Sequence, residues 1–278
     1  MEKRPRSFYV LSLFFALFVL FLYGPTLTIG ILSFQGPEGG LTFPMRGVSL
    51  NWFHELFQQQ AVGNIWGAFR RSFALGLMVM VTTVVVSVMA GLAFRKKFPG
   101  SGLLFYLTIA SLVIPSILIS LGVGLIFNQL GLKVHWATSG FGSQLTWTLP
   151  FGLLIMFAVF NRFDKSYEEA ARDQGATAWQ TIRYVVLPII APSLIGVALF
   201  GFTLSYDEFA RTLLTAGSYN TLPLEIYGIT TNVTTPVIYA LGTLTTAFSL
   251  LIIGAFLLTA WVMARRRARH GSDAGKGV

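Results

Sequence analysis

The chain has 278 residues, of which 54% are hydrophobic and only 11% charged, against about 25% charged in an average soluble domain. That leaves too little polar surface to wrap a soluble domain of this length, so a polytopic membrane protein is expected. The absence of cysteine excludes disulfide frameworks and thiolate chemistry, and although the net charge is +9, the basic residues cluster between long apolar runs, a pattern of membrane topology and not of nucleic-acid binding.

Six stretches approach the roughly 20 apolar residues that a bilayer crossing requires. They run over about 8–34, 72–94, 102–128, 144–160, 189–214 and 236–263. The first follows Lys3, Arg4 and Arg6, but it is too long for a signal h-region and lacks a small-residue cleavage site. It reads as a retained helix that bends near Gly24-Pro25. The segment 35–71 forms a long first loop with an amphipathic piece around 52–57, and Ser87-x3-Gly91 has a spacing suited to close helix contact. The residues from Arg265 are basic, then glycine-rich, and read as a disordered tail over 265–278. The expected layout is therefore a short N-terminal segment 1–7, one transmembrane domain 8–264, and that tail.

Positive charge sets the orientation. With both termini in the cytoplasm, fifteen of the 20 Lys and Arg lie in inner segments and four (Arg46, Arg70, Arg71 and Lys133) lie outside. Arg211 falls near the end of the fifth stretch. Arg70-Arg71, at the outer start of the second stretch, runs against this trend.

The polar exception is the inner segment 161–188, NRFDKSYEEAARDQGATAWQTIRYVVLP. Glu168, Glu169, Ala170, Ala171 and Arg172 favour a helix, with Ser166 as cap and Glu169 closing a capping box. Gly175 ends that helix or admits a close partner. A second helical run over 178–186 is expected to stop at Pro188. By residue chemistry alone the segment is equally well a solvated helical hairpin. Its spacing is more specific. Glu169-Ala170-Ala171, three residues, Gly175, nine residues, Val185, one residue and Leu187-Pro188 resembles the E-A-A-x3-G-x9-I-x-L-P loop of permease subunits from bacterial ABC importers, with Val185 in place of isoleucine.

Further similarity covers essentially the whole chain after the first stretch. SLNWFHELF at 49–57, LSYDEF at 204–209 and the run 216–244 look like the C-type permease of spermidine/putrescine importers. Where such relatives carry an Asn-Ser pair, this chain has Arg71-Ser72. The resemblance implies an all-α membrane protein of six transmembrane helices with the type I importer (MetI-like) fold in the bacterial inner membrane. It implies an ATPase-coupling loop that contains Glu168, Glu169, Ala170, Ala171, Gly175, Ala176, Leu187 and Pro188. The implied partners are a second homologous permease, two cytoplasmic ATPase subunits and a periplasmic substrate-binding protein, all working in the lipid bilayer without nucleic acid. The sequence contains no G-x4-G-K-[ST] phosphate loop. ATP and Mg would therefore be used by the separate ATPase, with no catalytic residue, metal site or cofactor on this chain.

Asp207, Glu208 and Arg211 interrupt the fifth stretch. A carboxylate at the bilayer centre costs about 2.5–3.5 kcal/mol on insertion scales. One reading is a helix-face ion pair, Asp207 with Arg211 or Glu208 with Arg211. The other is that one carboxylate lines the pathway and attracts a cation. The resemblance favours Asp207 for that role, with Glu208 and Tyr206 beside it. Tyr206, Tyr219 and Tyr227 suit either a cationic amine or the interfacial aromatic belt. His54, His135 and His270 are scattered, without metal-ligand spacing. The expected function is half of the translocation pathway for a small cationic solute, a polyamine first. The alternatives are the same machine carrying an opine or aminoethylphosphonate, or a stand-alone secondary transporter.

Overall fold

The computed structural model describes residues 5–58, 64–96, 98–232 and 235–273. Lys3, Arg4, Lys97 and Lys276 lie outside these residues. The described residues form helices α1 (Arg6–Leu32), α2 (Asn51–Phe57), α3 (Ile65–Phe94), α4 (Ser101–Ala110), α5 (Ser116–Gln129), α6 (Phe141–Asn161), α7 (Ser166–Asp173), α8 (Ala178–Thr181), α9 (Leu187–Tyr206), α10 (Leu222–Asn232) and α11 (Val237–Asp273). Two π-helical turns, Trp136–Gly140 and Ile182–Val186, lead into α6 and α9. Among the described residues there is no strand, only a bridge between Gln35 and Val48.

Among the described residues, five helical stretches are long and apolar enough to cross a membrane: Ser7–Leu32, Ile65–Phe94, Trp136–Asn161, Ala178–Tyr206 and Val237–Arg265. Their outward Phe, Leu and Val side chains match a hydrocarbon surround, where a helix satisfies its own backbone groups. The expected third crossing is not one helix. It breaks over residues 111–115 into the shorter apolar pieces α4 and α5. Pro115 caps α5 and lacks an N–H with which to continue α4.

Other boundaries also move. α3 starts at Ile65, seven residues before the expected start, so Arg70 and Arg71 are helical. α9 ends at Tyr206, eight residues short of the expected end at 214. α11 continues through the basic residues to Asp273, where composition pointed to a disordered tail from 265. Arginine is a good helix former, and an established helix propagates cheaply.

The chain divides into two compact units. One comprises the residues up to Ile65 with Ile226–Leu250. Trp52 and Leu56 of α2 pack there with Ile229, Val237, Ala240 and Leu241, which explains the amphipathic pattern at 52–57. Buried Gln35 organises the loop before α2. Its amide donates to the Gly40 and Thr42 carbonyls and accepts from the Arg46 N–H at 2.7 Å.

The other unit comprises Trp66–Glu225 and the residues from Leu251. Its core joins Met156 and Phe160 of α6 to Val186, Ile190 and Val197 on and before α9. Small residues bring the backbones together. A Cβ on Gly201 of α9 would lie 3.1 Å from the Met80 Cα of α3. Ser87 and Gly91 are buried, with Gly91 facing Met156 and Phe160, as the small-residue spacing anticipated.

Candidate functional site

The segment 161–188 folds as two short helices around a glycine, but its details differ from the expected ones. Ser166 does not cap α7. It is already the first helical residue: the Glu168 and Glu169 N–H groups reach the Lys165 carbonyl, and the Ser166 N–H lies on the Asp164 carboxylate at 2.9 Å. That bond holds the exposed Asp164 carboxyl below the usual carboxylate range. The capping box forms instead at α8, where Thr177 and Gln180 exchange side-chain and backbone bonds.

Gly175 ends α7 at φ +84. The Gly175 N–H reaches the Arg172 carbonyl at 2.8 Å and the Ala176 N–H reaches the Ala171 carbonyl at 3.0 Å. This is a Schellman ending, which requires a left-handed residue at that position. No atom lies within 4 Å of where a Gly175 Cβ would stand. Glycine is therefore needed here for its backbone and not for packing space inside this chain.

Pro188 does not stop the second run. α8, the π-turn and α9 form one continuous helix, Ala178–Tyr206. Leu187 and Pro188 follow directly on the π-turn, whose wider hydrogen-bond ring accommodates a proline inside the continuous helix. Glu169, Ala170 and Gly175 are exposed, while Glu168, Ala171, Ala176 and Leu187 are half-buried. Tyr167, Trp179 and Tyr184 add large exposed rings to the same segment, Trp179 at 64% exposure. Sequence reasoning passed over these aromatics because they belong to no spacing pattern.

The second candidate group lies where α9 ends. Asp207 is the C-terminal cap of α9 and is exposed. Glu208 turns back, and its Oε1 accepts the Arg211 backbone N–H at 3.0 Å. Tyr206 is buried, stacked on Phe202 at 5.7 Å and edge-on to Phe69. Instead of pairing with Asp207 or Glu208 along a helix face, the fully buried Arg211 turns its guanidinium to Thr146 Oγ1 and the Ser111 carbonyl, 5.0 Å from the Trp147 ring centroid. The reason is the early helix end: beyond Tyr206 the residues no longer follow helical spacing, so positions three and four apart do not share a face.

The turns after Asp207 are pinned by hydroxyls. The Ser143 hydroxyl donates to the Arg211 carbonyl and the Ser139 hydroxyl to the Thr215 carbonyl, while Ser120 Oγ accepts the Leu214 N–H at 3.0 Å. From α3, Arg71 Nε donates to the Asn220 carbonyl and Ser72 Oγ accepts the Leu222 N–H, each at 2.7 Å. Arg71 also lies over the Tyr219 ring, and Arg70 over Trp66.

Comparison with known proteins gives these arrangements a family. Residues 83–268 match the model of the binding-protein-dependent transport system inner membrane component. The chain belongs to that family. It is 29% identical over 256 residues to the spermidine/putrescine transport system permease protein PotC of Haemophilus influenzae, covering 88% of this chain and 94% of the relative. It is 27% identical over 258 residues to the putrescine transport system permease protein PotI of Escherichia coli, covering 90% and 89%. Among solved structures, a chain of a bacterial ABC transporter that imports the acidic polysaccharide alginate aligns with TM-score 0.67 at 15% identity, covering 95% of this chain and 99% of the other. The MetNI methionine ABC transporter in an inward-facing conformation aligns with TM-score 0.57 at 18% identity, covering 76% and 97%. The fold is thus the MetI-like permease fold of ABC importers, and the chain is a multi-pass inner-membrane component.

Proposed function

We propose that this permease forms half of a translocation pathway for a polyamine and is driven through the segment 161–188 by a separate cytoplasmic ATPase. The observation that carries the coupling role is the pairing of the E-A-A-x3-G-x9-V-x-L-P spacing with the Schellman turn at Gly175 and the exposure of Glu169, Ala170 and Trp179. An exposed ring beside small residues suits docking into a cleft on a partner. The continuous helix from Ala178 to Tyr206 then links that segment to the span that ends at Asp207.

The substrate reading draws on the polyamine permeases among the relatives and on the exposed carboxylate of Asp207. An anionic solute would need basic lining. Arg211 is buried and bonded to Thr146, and Arg71 is bonded to Asn220, so both guanidiniums are engaged within the chain.

With both termini inside, the assembly would contain a second permease, two ATPase subunits that use ATP and Mg, and a periplasmic binding protein. Closure of the ATPase pair would move the segment 161–188 and reorient the spans. This chain contributes the joint and the lining, and takes no part in hydrolysis.

The test is substrate-dependent ATP hydrolysis by the reconstituted transporter with its binding protein, using putrescine, spermidine, an opine and aminoethylphosphonate. Stimulation by the polyamines alone is expected. Stimulation only by the opine or phosphonate would overturn the substrate and leave the importer architecture standing.

A further inference from the structure

An ion pair joins the turn after α3 to α7. Arg95 follows the last residue of α3, and its guanidinium meets the carboxylate of Glu168 in the first turn of α7. The same guanidinium lies over two rings, Phe160 at 5.2 Å and Phe163 at 5.3 Å from their centroids. One cation thereby ties together the end of α3, the end of α6 and the start of α7. The two charged side chains are 15% and 14% exposed, so solvent screens them less than it does a surface pair. Arg172, one turn along α7, approaches the other Glu168 oxygen at 3.9 Å.

The family spacing does not contain this contact. Glu168 precedes the glutamate of the E-A-A pattern, and Arg95 lies 73 positions away. Adjacent helical residues point about 100° apart, and the two glutamates divide accordingly: Glu169 is exposed while Glu168 faces inward to Arg95. Apart from this contact, α7 packs chiefly on α8 and the π-turn that leads into α9. Without the pair, α7 would keep its packing towards α9 and its short link to α6, and would have no tie to the end of α3.

We infer that Arg95 and Glu168 are positioning residues for energy coupling: their ion pair clamps α7 to α3 and α6, so that these helices move with α9 when α7 is displaced. The inference rests on the coupling role proposed above for the segment 161–188.

The experiment uses the whole transporter in liposomes and measures both ATP hydrolysis and solute taken up per ATP. Arg95→Glu and Glu168→Arg should each lower uptake per ATP by roughly tenfold while hydrolysis persists. The double reversal should recover most of the loss, as expected for two groups that act as a pair. A purely structural contact would change the amount of assembled complex and not the ratio. Wild-type ratios in both single variants, or a double variant no better than the worse single one, would overturn the clamp. Where a reversed charge prevents assembly, Glu168→Gln keeps the shape and decides the matter by the same ratio: a lowered ratio supports the clamp and an unchanged one overturns it. Gly175→Asp, assayed alongside, separates the two levels. Lost uptake there with normal coupling in the Arg95 and Glu168 variants overturns only the clamp. Normal uptake in all of them overturns the coupling role and the clamp together.

Discussion

Arg71 Nε donates a 2.7 Å hydrogen bond to the backbone carbonyl of Asn220, 149 positions further along the chain. This contact accounts for half of a basic pair that topology alone leaves unexplained. The arginine stands in α3 to hold the turns that follow α9. Neighbouring Ser72 takes the Leu222 N–H at the other end of the same turn. Arg71→Ala should destabilise the chain by about 1 kcal/mol, the usual net value of one such bond, and should expose the peptide bonds around 216–221 to protease. Thermal unfolding in detergent and limited proteolysis would check this. Unchanged behaviour in both would mean that the bond contributes nothing.

Gly175 offers a prediction based on conformation alone. Its φ is +84, and no atom lies within 4 Å of a Cβ built on it. Asparagine tolerates the left-handed region best among side chains, whereas alanine costs about 1–2 kcal/mol there and a β-branched residue costs more. ATP-driven uptake should therefore fall in the order Gly175→Asn, Gly175→Ala, Gly175→Val. Alanine outperforming asparagine would mean that the docked partner, and not the turn, demands a small residue.

Two glycines of α9 should respond in opposite ways. Gly196 has open space where a Cβ would stand, while a Cβ on Gly201 meets the Met80 backbone at 3.1 Å and the Thr83 Cβ at 3.4 Å. Gly196→Ala should be neutral or stabilise by up to about 1 kcal/mol through helix propensity. Gly201→Ala should lower the thermal midpoint, because backbone cannot yield as a side-chain tip can. Equal midpoints for the two variants would show that α3 and α9 have slack at this crossing.

The acidic pair after α9 should likewise divide by role. Asp207→Asn should reduce polyamine uptake by roughly tenfold, the effect of losing about 1.4 kcal/mol of attraction, with stability unchanged. Glu208→Gln should leave uptake nearly intact and loosen the turn, since its carboxylate holds the Arg211 N–H. Radiolabelled uptake and thermal unfolding together distinguish these outcomes. The reverse result would place Glu208 in the pathway and Asp207 outside it.

The crossings were legible wherever one long apolar run could form one helix, as in α1, α3, α6 and the start of α11. The third run was misread because hydropathy does not register where a helix breaks. Residues 111–115 are as apolar as their neighbours apart from Ser111 and Pro115. The fifth was read too long for a related reason. Arg211 makes its surroundings look like an interrupted helix, yet its guanidinium bonds to Thr146 and Ser111, partners 65 and 100 positions away. Short-range spacing could offer it only Asp207 or Glu208. The segment 161–188 was readable as two helices around Gly175, because a glycine between helix formers is a strong local signal. Its cap was not, since Asp164, Ser166 and Thr177 are all competent acceptors and only the folded geometry chooses among them.

Through the π-turn at Ile182–Val186 the helix runs unbroken from α8 into α9. A hydrogen-bonded rod of 29 residues is about 43 Å long at about 1.5 Å per residue. On the coupling proposed above, a tilt of about 5° about its Ala178 end would sweep Tyr206 through roughly 4 Å. The proline that ordinarily breaks a helix is here built into the shaft.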